Sequence, residues 1–146
     1  GNNKLTSEYD QLLDYVKTLE NLSINLVFDR TFFTEENYCR LGKKEYSFTE
    51  EYNKLLDRFC KLDFEIYYIT LYLENEDLFE ERLARDGKAV FGTSKFGKEN
   101  SINQQRVYLE MAEEIKDKYP NVNVINIKTD RDLEEVKKEI REKLKY

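Results

Sequence analysis

Phe64-Glu-Ile-Tyr-Tyr-Ile-Thr-Leu-Tyr-Leu73 is the stretch that decides the fold. It is rich in β-branched and aromatic residues and predicts the clearest strand of the chain. Shorter runs of the same kind occur at Ile24–Phe28 and Val122–Ile127. Helical segments separate the three runs, and this alternation is typical of parallel strands joined by helical crossovers. The sequence therefore predicts an α/β fold with a parallel sheet.

Six segments predict helices, because their apolar side chains recur at helical spacing. They are residues 7–20, residues 34–40, the segment after Ser47, residues 75–86, residues 102–118 and the segment after Asp130. Ser7 with Asp10 resembles a capping box, and Ser47 with Glu50 predicts a similar cap. We expect Asp130 to cap the last helix. The helix after Ser47 has a predicted buried face made of Tyr52, Leu55, Leu56, Phe59 and Cys60.

The composition predicts one globular domain spanning residues 1–146. Apolar residues make up 40% and charged residues 37% of the chain, and the formal net charge is −6. The longest nearly apolar run, residues 66–73, is far too short to span a membrane. The acidic balance argues against binding to nucleic acid or to an anionic membrane, but it leaves small phosphorylated ligands open.

Cysteine and histidine usage narrows the class of protein further. The two cysteines, Cys39 and Cys60, form no CxxC pattern and predict reduced thiols in a cytoplasmic protein. The chain has no histidine, which excludes Ser-His-Asp and Cys-His nucleophilic sites and argues against zinc. The sequence does not decide the oligomeric state and leaves a homodimer open.

Asp29 and Arg30 follow the first predicted strand directly. In open parallel sheets, ligands bind at the carboxyl ends of the strands, so this pair is a candidate for function. The alternative is an ordinary ion pair at a strand end.

Arg82 and Arg85 lie one helical turn apart and should share a face, next to a glycine-spaced loop at residues 87–100. Two guanidinium groups beside such a loop suit a transferring phosphoryl group. The alternative is a solvated helix whose arginines pair with Glu81 and Asp86.

One segment of that loop nearly matches a phosphate-binding motif. Residues 92–99 have two glycines five positions apart and then Lys98, as in Walker A. The next residue should be Ser or Thr, but it is Glu99, whose carboxylate would repel phosphate. We therefore reject this segment as a phosphate cradle, and the 146 residues contain no other Walker A pattern.

Five segments together carry a resemblance to a known family. They are residues 24–30 (INLVFDR), the set Thr34, Glu35 and Tyr38, residues 69–74 with 79–87, residues 105–109, and residues 124–128 with 132–136. In this order they resemble the thymidylate kinase and deoxynucleoside kinase branch of the P-loop kinases. The resemblance runs from about residue 5 to the end of the sequence.

The resemblance implies a three-layer fold with helices on both faces of a parallel sheet. Members of the family begin with a strand, a Walker A loop and a further βα unit, so the chain would correspond to the last two-thirds of such a fold. It also implies phosphoryl transfer from ATP to a deoxynucleoside monophosphate or a deoxynucleoside, with Mg²⁺. Cys39 stands where thymidylate kinases tend to carry Gln, which leaves the base open.

On the acceptor side, the resemblance implies roles for four residues. Asp29 would help position Mg²⁺ through its bound waters and would take part in catalysis. Arg30 would hold the phosphate or the 5′ oxygen of the acceptor. Glu35 and Tyr38 would line the acceptor pocket.

On the ATP side, the resemblance implies six residues around the phosphates and the adenine. They are Arg82, Arg85, Lys88, Lys98, Lys128 and Thr129. Arg82 and Arg85 would be catalytic, closing on the donor phosphates with the two lysines of the 87–100 loop in support. Lys128 and Thr129 would lie near the adenine.

Two other interpretations stay open. The chain could be a degenerate, non-catalytic nucleotide-binding or scaffold domain, or another nucleotide-handling α/β protein. Because the 146 residues contain no Walker A motif, we expect them by themselves neither to bind ATP tightly nor to transfer phosphate.

Overall fold

The computed structural model describes residues 2–85 and 97–145. In these ranges the chain forms six helices and two strands, which makes it a mixed α/β protein. In chain order they are α1 (Asn2–Lys17), α2 (Phe32–Arg40), α3 (Thr49–Cys60), β1 (Tyr67–Tyr72), α4 (Leu78–Arg85), α5 (Lys98–Lys118), β2 (Asn123–Lys128) and α6 (Leu133–Leu144). The chain divides into two compact units, residues 1–66 and residues 67–146. The prediction of a single domain stays a prediction.

The first unit is helical, with α1 and α2 both packed against α3. The face predicted for α3 is confirmed at four of its positions, because Tyr52, Leu55, Leu56 and Cys60 are buried. Phe59 is half-buried and contacts the rings of Phe28, Phe32 and Phe33 edge to face. Such edge-to-face contacts match the ring quadrupoles and add to the energy of apolar burial.

A charged side chain ties α1 to α3. Nη1 of Arg58 donates to the backbone oxygen of Asp10 at 2.9 Å and to its carboxylate at 3.1 Å. Nη2 of Arg58 donates to the carboxylate of Asp14, one turn further along α1. One guanidinium therefore fixes the rotation of α1 about its axis relative to α3.

The predicted strand at residues 24–28 is wrong. These residues belong to no strand, and Val27 is 94% exposed. Ile24 and Leu26 are also exposed, at 40% and 38%, and Phe28 is half-buried against Phe59. An apolar run becomes a strand only when its backbone finds a ladder partner. Within the described residues, this segment has none.

The second unit contains a two-stranded parallel sheet in which β1 pairs with β2. Both strands were predicted from the sequence, and their register places Tyr72 opposite Lys128. Helix α5 contacts both strands, and α6 contacts β2. Met111, Ala112 and Ile115 of α5 are buried. The carboxyl ends of both strands therefore meet at one edge, near the start of α5.

The caps predicted at Ser7 and Asp130 are wrong, because α1 begins at Asn2 and α6 begins at Leu133. Helix α1 begins at Asn2, which places Ser7 and Asp10 inside it. The residue before α3 is Phe48, and the residue before α6 is Asp132. Neither Phe48 nor Asp132 makes a side-chain hydrogen bond that caps its helix. The carboxylate of Asp130 instead accepts a hydrogen bond from the N–H of Asn75.

In the described part of the chain, no helix is both long and apolar enough to cross a lipid bilayer.

Candidate functional site

Arg82, Lys98, Gln105, Lys128 and Thr129 of the second unit form what we call the strand-end cluster. Thr129, the first residue after β2, is at its centre. Its N–H and its hydroxyl both donate to the carbonyl oxygen of Tyr72, at 2.8 and 3.1 Å, and so close the end of the sheet. Arg82 of α4 donates to the carbonyl oxygen of Thr129 at 2.7 Å and to its hydroxyl oxygen at 3.3 Å. Arg82 is therefore not simply a solvated helix side chain, since its guanidinium is anchored at the carboxyl end of the sheet.

Gln105 of α5 holds the other strand at the same edge. Its Oε1 accepts from the backbone N–H of Leu73 at 2.7 Å, and its Nε2 donates to the carbonyl of Leu73 at 2.9 Å. Where β1 ends, the side-chain amide of Gln105 thus makes the two hydrogen bonds that the backbone of a neighbouring strand would otherwise make. Gln105 and Arg82 both line a cavity of about 330 Å³. The rest of its lining is Leu71, Tyr72, Leu73, Phe79, Leu83, Ser101 and Thr129.

Residues 74–77, which we call the acidic turn, follow β1 and carry three carboxylates. Each carboxylate pairs with a cation from another element. Asp77 contacts Nζ of Lys98 at 2.8 Å, and Glu74 contacts Nζ of Lys128 at 3.1 Å. Glu76 contacts Arg106 at 3.0 Å. Basic residues of α5 and β2 are thereby gathered at the strand ends.

These contacts shift the protonation equilibria of the groups involved. The hydrogen bond to Lys98 lowers the pKa of Asp77, and the same bond raises the pKa of Lys98. The hydrogen bond to Glu74 raises the pKa of Lys128. Both lysines are therefore fully charged at neutral pH, which any role in binding phosphate requires.

Asp130 links the acidic turn to the end of β2. Its Oδ2 accepts from the backbone N–H of Asn75 at 2.8 Å, and this bond is the main reason why the pKa of Asp130 is lowered. The side chain of Asn75 in turn accepts from the N–H of Asp77 at 3.1 Å. A ladder of polar contacts therefore holds the turn in place beside Thr129.

The acceptor-side candidates all lie in the first unit. Asp29 and Arg30 are exposed and follow the extended segment, not a strand. Arg30 has a backbone φ of 55°, in the left-handed region that non-glycine residues seldom occupy. The expected position of this pair at a strand end is therefore wrong, because no strand precedes it.

Glu35 and Tyr38 lie one turn apart on α2 and are both half-buried. The hydroxyl of Tyr46 donates to Oε1 of Glu35, and this bond raises the pKa of Tyr46 to about 12. Burial, helped by the charges of Glu35 and Glu36, raises the pKa of the Cys39 thiol to about 11. Cys39 is thus a neutral thiol beside the candidate acceptor residues and is poorly suited to act as a nucleophile.

Glu36 is a buried carboxylate that sequence analysis did not single out. It has no exposed surface, and it accepts from Nε of Arg40 at 2.9 Å and from the hydroxyl of Thr49 at 3.0 Å. A buried carboxylate needs such partners, because leaving it unpaired is costly. Glu36 therefore serves to join α2 to the start of α3.

The structure brings together four of the six residues predicted on the ATP side. Arg82, Lys128 and Thr129 meet at the strand ends, and Lys98 joins them through the acidic turn. Lys98 lies in α5, so the end of the predicted 87–100 loop is helical. Arg85 is exposed at the end of α4. Lys88 and the loop from 87 to 96 lie outside the described residues.

Sequence reasoning missed the residues that organise the cluster. The sequence patterns place Gln105 only within a helix, Glu76 and Asp77 within the predicted helix 75–86, and Glu74 at the end of the strand segment before it. A four-residue run of acids and Asn directly after a strand, ENED at 74–77, was the available signal. It could have indicated that these carboxylates lie at the sheet edge.

The Mg²⁺ site that the resemblance implies, with Asp29 acting through bound waters, stays a prediction. Among residues 2–85 and 97–145, no three His, Cys, Asp or Glu side chains come close enough together to hold a metal ion. Asp29 is exposed, and Mg²⁺ in such sites is held by one or two carboxylates together with waters and the phosphates of the substrate. ATP phosphates fit the charge of Lys98, Lys128 and Arg82, but they would have to compete with Asp77 and Glu74.

The described residues thus form a mixed α/β protein with a cluster of paired charged side chains at the carboxyl ends of two parallel strands. Comparison of the chain with protein-family models, with curated proteins and with solved structures finds no match.

Proposed function

We propose that the chain is part of a nucleotide or nucleoside kinase with a P-loop kinase-like fold. The reaction is transfer of a phosphoryl group from ATP to a deoxynucleoside monophosphate or a deoxynucleoside. The resemblance of the sequence motifs supports this proposal. The observation that carries it is the contact of Arg82 with Thr129, since it holds an arginine that precedes the 87–100 loop at the carboxyl edge of the sheet.

The position of the cluster supports binding of an anion. The carboxyl edge of parallel strands is where α/β proteins bind ligands. Arg82 uses two nitrogens on Thr129, and a guanidinium has five N–H donors, so one side chain can hold the strand end and a phosphate oxygen together. Lys98 and Lys128 add two point charges at the same edge.

In the proposed reaction, the protein acts mainly by position and charge. The negative charge of the transferring phosphoryl group has to be stabilised by fixed hydrogen-bond donors in a site that excludes water. Arg82 and Arg85 hold oxygens of the transferring group, and Lys98 binds the outer phosphates. We assign Lys128 to the phosphates as well, and not to the adenine as the resemblance implies, because its Nζ pairs with the acidic turn as that of Lys98 does. The resemblance assigns binding of the acceptor to Arg30, Glu35 and Tyr38. Asp29 would help to position Mg²⁺ through bound waters, as the resemblance implies, and the ion would neutralise part of the phosphate charge.

The test is an assay of the product of the full gene for ATP-dependent phosphorylation of deoxynucleosides and their 5′-monophosphates. We expect Arg82→Ala and Arg85→Ala each to lower kcat by about 10²-fold, with a smaller change in the KM of the acceptor, because they remove charge stabilisation of the transition state. Arg141→Ala is the matched control, since Arg141 is exposed on α6. A near-native kcat in both Arg82→Ala and Arg85→Ala would show that these arginines have only a structural role.

A second candidate is a non-catalytic nucleotide-binding or scaffold domain. The observation that favours it is that Lys98 and Lys128 are already neutralised by Asp77 and Glu74. The same gene product discriminates the two functions. Saturable nucleotide binding without any phosphorylated product would favour the binding domain over the kinase.

A further inference from the structure

We propose that Asp77 and Glu74 act as exchangeable partners that occupy Lys98 and Lys128 until a polyphosphate ligand displaces them. The inference rests on the proposed function and deepens it, because it names the residues that set the affinity of the cluster for phosphate. It also names the ligand class, which is a chain of phosphates and not a single small anion.

The two ion pairs share one layout. Each joins a carboxylate of the acidic turn to a lysine from an element that carries the cluster, at 2.8 Å for Asp77 with Lys98 and 3.1 Å for Glu74 with Lys128. Both lysines belong to the set predicted to bind ATP. A carboxylate in such a pair takes the position that a phosphate oxygen would otherwise occupy.

Exposure shows which partner of each pair is free to leave. The side chain of Asp77 is 84% exposed and that of Lys98 only 32%. Glu74 is 68% exposed and Lys128 40%. The lysines are therefore held against the unit, while water reaches the carboxylates easily. Such ion pairs contribute little to stability, so their opening costs little when a stronger anion arrives.

The pair of Glu76 with Arg106 has the opposite layout. Here the carboxylate is 31% exposed and the cation 66%. Arg106 is also absent from the set predicted to bind ATP. This pair lies in the same turn, and its carboxylate has the same charge, so it is a matched internal control.

The exchange predicts selectivity as well as affinity. A ligand with one negative charge can replace only one carboxylate, and its contact with the lysine is little stronger than the contact that it displaces. A ligand with several linked charges can replace Asp77 and Glu74 in one binding event, because its second contact is intramolecular. We therefore expect tripolyphosphate to bind more tightly than orthophosphate at equal ionic strength.

The experiment is an NMR titration of the 146-residue chain with inorganic tripolyphosphate, which measures weak dissociation constants. We expect Asp77→Asn to lower Kd by about two- to fivefold, because the amide no longer competes for Lys98. Glu74→Gln should act in the same direction. Glu76→Gln, which removes the same charge, should change Kd by less. In a Lys98→Met background, Asp77→Asn should have no effect, since a double-mutant cycle isolates the pairwise contact.

Three results would overturn the exchange: an unchanged or raised Kd for Asp77→Asn, an equal effect of Glu76→Gln, or no binding of tripolyphosphate to the wild-type chain. Each result leaves the proposed function to be judged by the phosphoryl-transfer assay on the full gene product. The failures of the two proposals are therefore distinguishable.

Discussion

The double hydrogen bond of Gln105 to Leu73 allows a quantitative test of how the strand end is held. We consider Gln105→Met, which keeps an unbranched side chain of similar volume but removes both polar groups. The wild-type amide satisfies the N–H and the C=O of Leu73 at 2.7 and 2.9 Å, and Leu73 is only 3% exposed. A buried backbone group left without a partner costs about 1–3 kcal/mol. Two such groups give about 2–4 kcal/mol, after allowing for water that enters beside the half-buried residue 105.

Two measurements check this expectation. Urea unfolding should show the loss of about 2–4 kcal/mol in the free energy of unfolding, out of a total of roughly 5–15 kcal/mol. Hydrogen exchange should locate the loss in a peptide that covers β1, since opening of the strand end precedes global unfolding. Asn103→Met is the matched control, because residue 103 is exposed on the same helix and should stay within about 0.5 kcal/mol of wild type. A Gln105→Met variant as stable as this control would refute the reasoning and show that the two bonds contribute nothing net.

Two further predictions concern the first unit. Burial and the charges of Glu35 and Glu36 raise the pKa of Cys39 to about 11, so the thiolate fraction at pH 8 is only about 10⁻³. Iodoacetamide should therefore label Cys39 about 100-fold more slowly than an ordinary thiol, and the labelling rate should keep rising up to about pH 11. Rapid labelling at pH 8, measured by mass spectrometry, would contradict this expectation. Val27→Asp should change the free energy of unfolding by less than about 0.5 kcal/mol, because Val27 is 94% exposed. Val16→Asp, at a position 3% exposed, is the destabilising comparison in the same urea experiment, and a loss above about 2 kcal/mol in Val27→Asp would mean that the segment is a buried strand after all.

The helices and two of the strands could be predicted because local patterns determine them. The apolar spacing of Tyr52, Leu55, Leu56 and Cys60 repeats at the helical period, and all four are buried as expected. The caps could not be predicted in the same way. Asp130 has the right side chain for a cap, but its carboxylate bonds the N–H of Asn75, which lies 55 residues away in the chain.

The candidate site divides in a similar way. The residue types were predictable, because Arg82, Lys98, Lys128 and Thr129 have the charge and hydrogen-bonding groups that phosphates require. Their partners were not, because the bond between Arg82 and Thr129 spans 47 residues and the pair of Lys98 with Asp77 spans 21. A sequence without an alignment contains no signal for such long-range contacts.

The segment 24–28, which was predicted to be a strand, and the exposed side of β1 pose the same physical problem. Parallel strands are normally buried on both faces. In β1, however, Ile69 is 38% and Leu71 57% exposed, while Ile127, the partner of Leu71 in the sheet, is fully buried. Both segments have the composition of an interior strand, yet each lacks part of the environment that such a composition suits. The residue types of a segment indicate how well its side chains fit a buried strand. Strand formation also requires a neighbouring backbone with which the segment can form hydrogen bonds. The segment with a parallel partner became β1, and the segment without one stayed extended, although the two have the same kind of sequence.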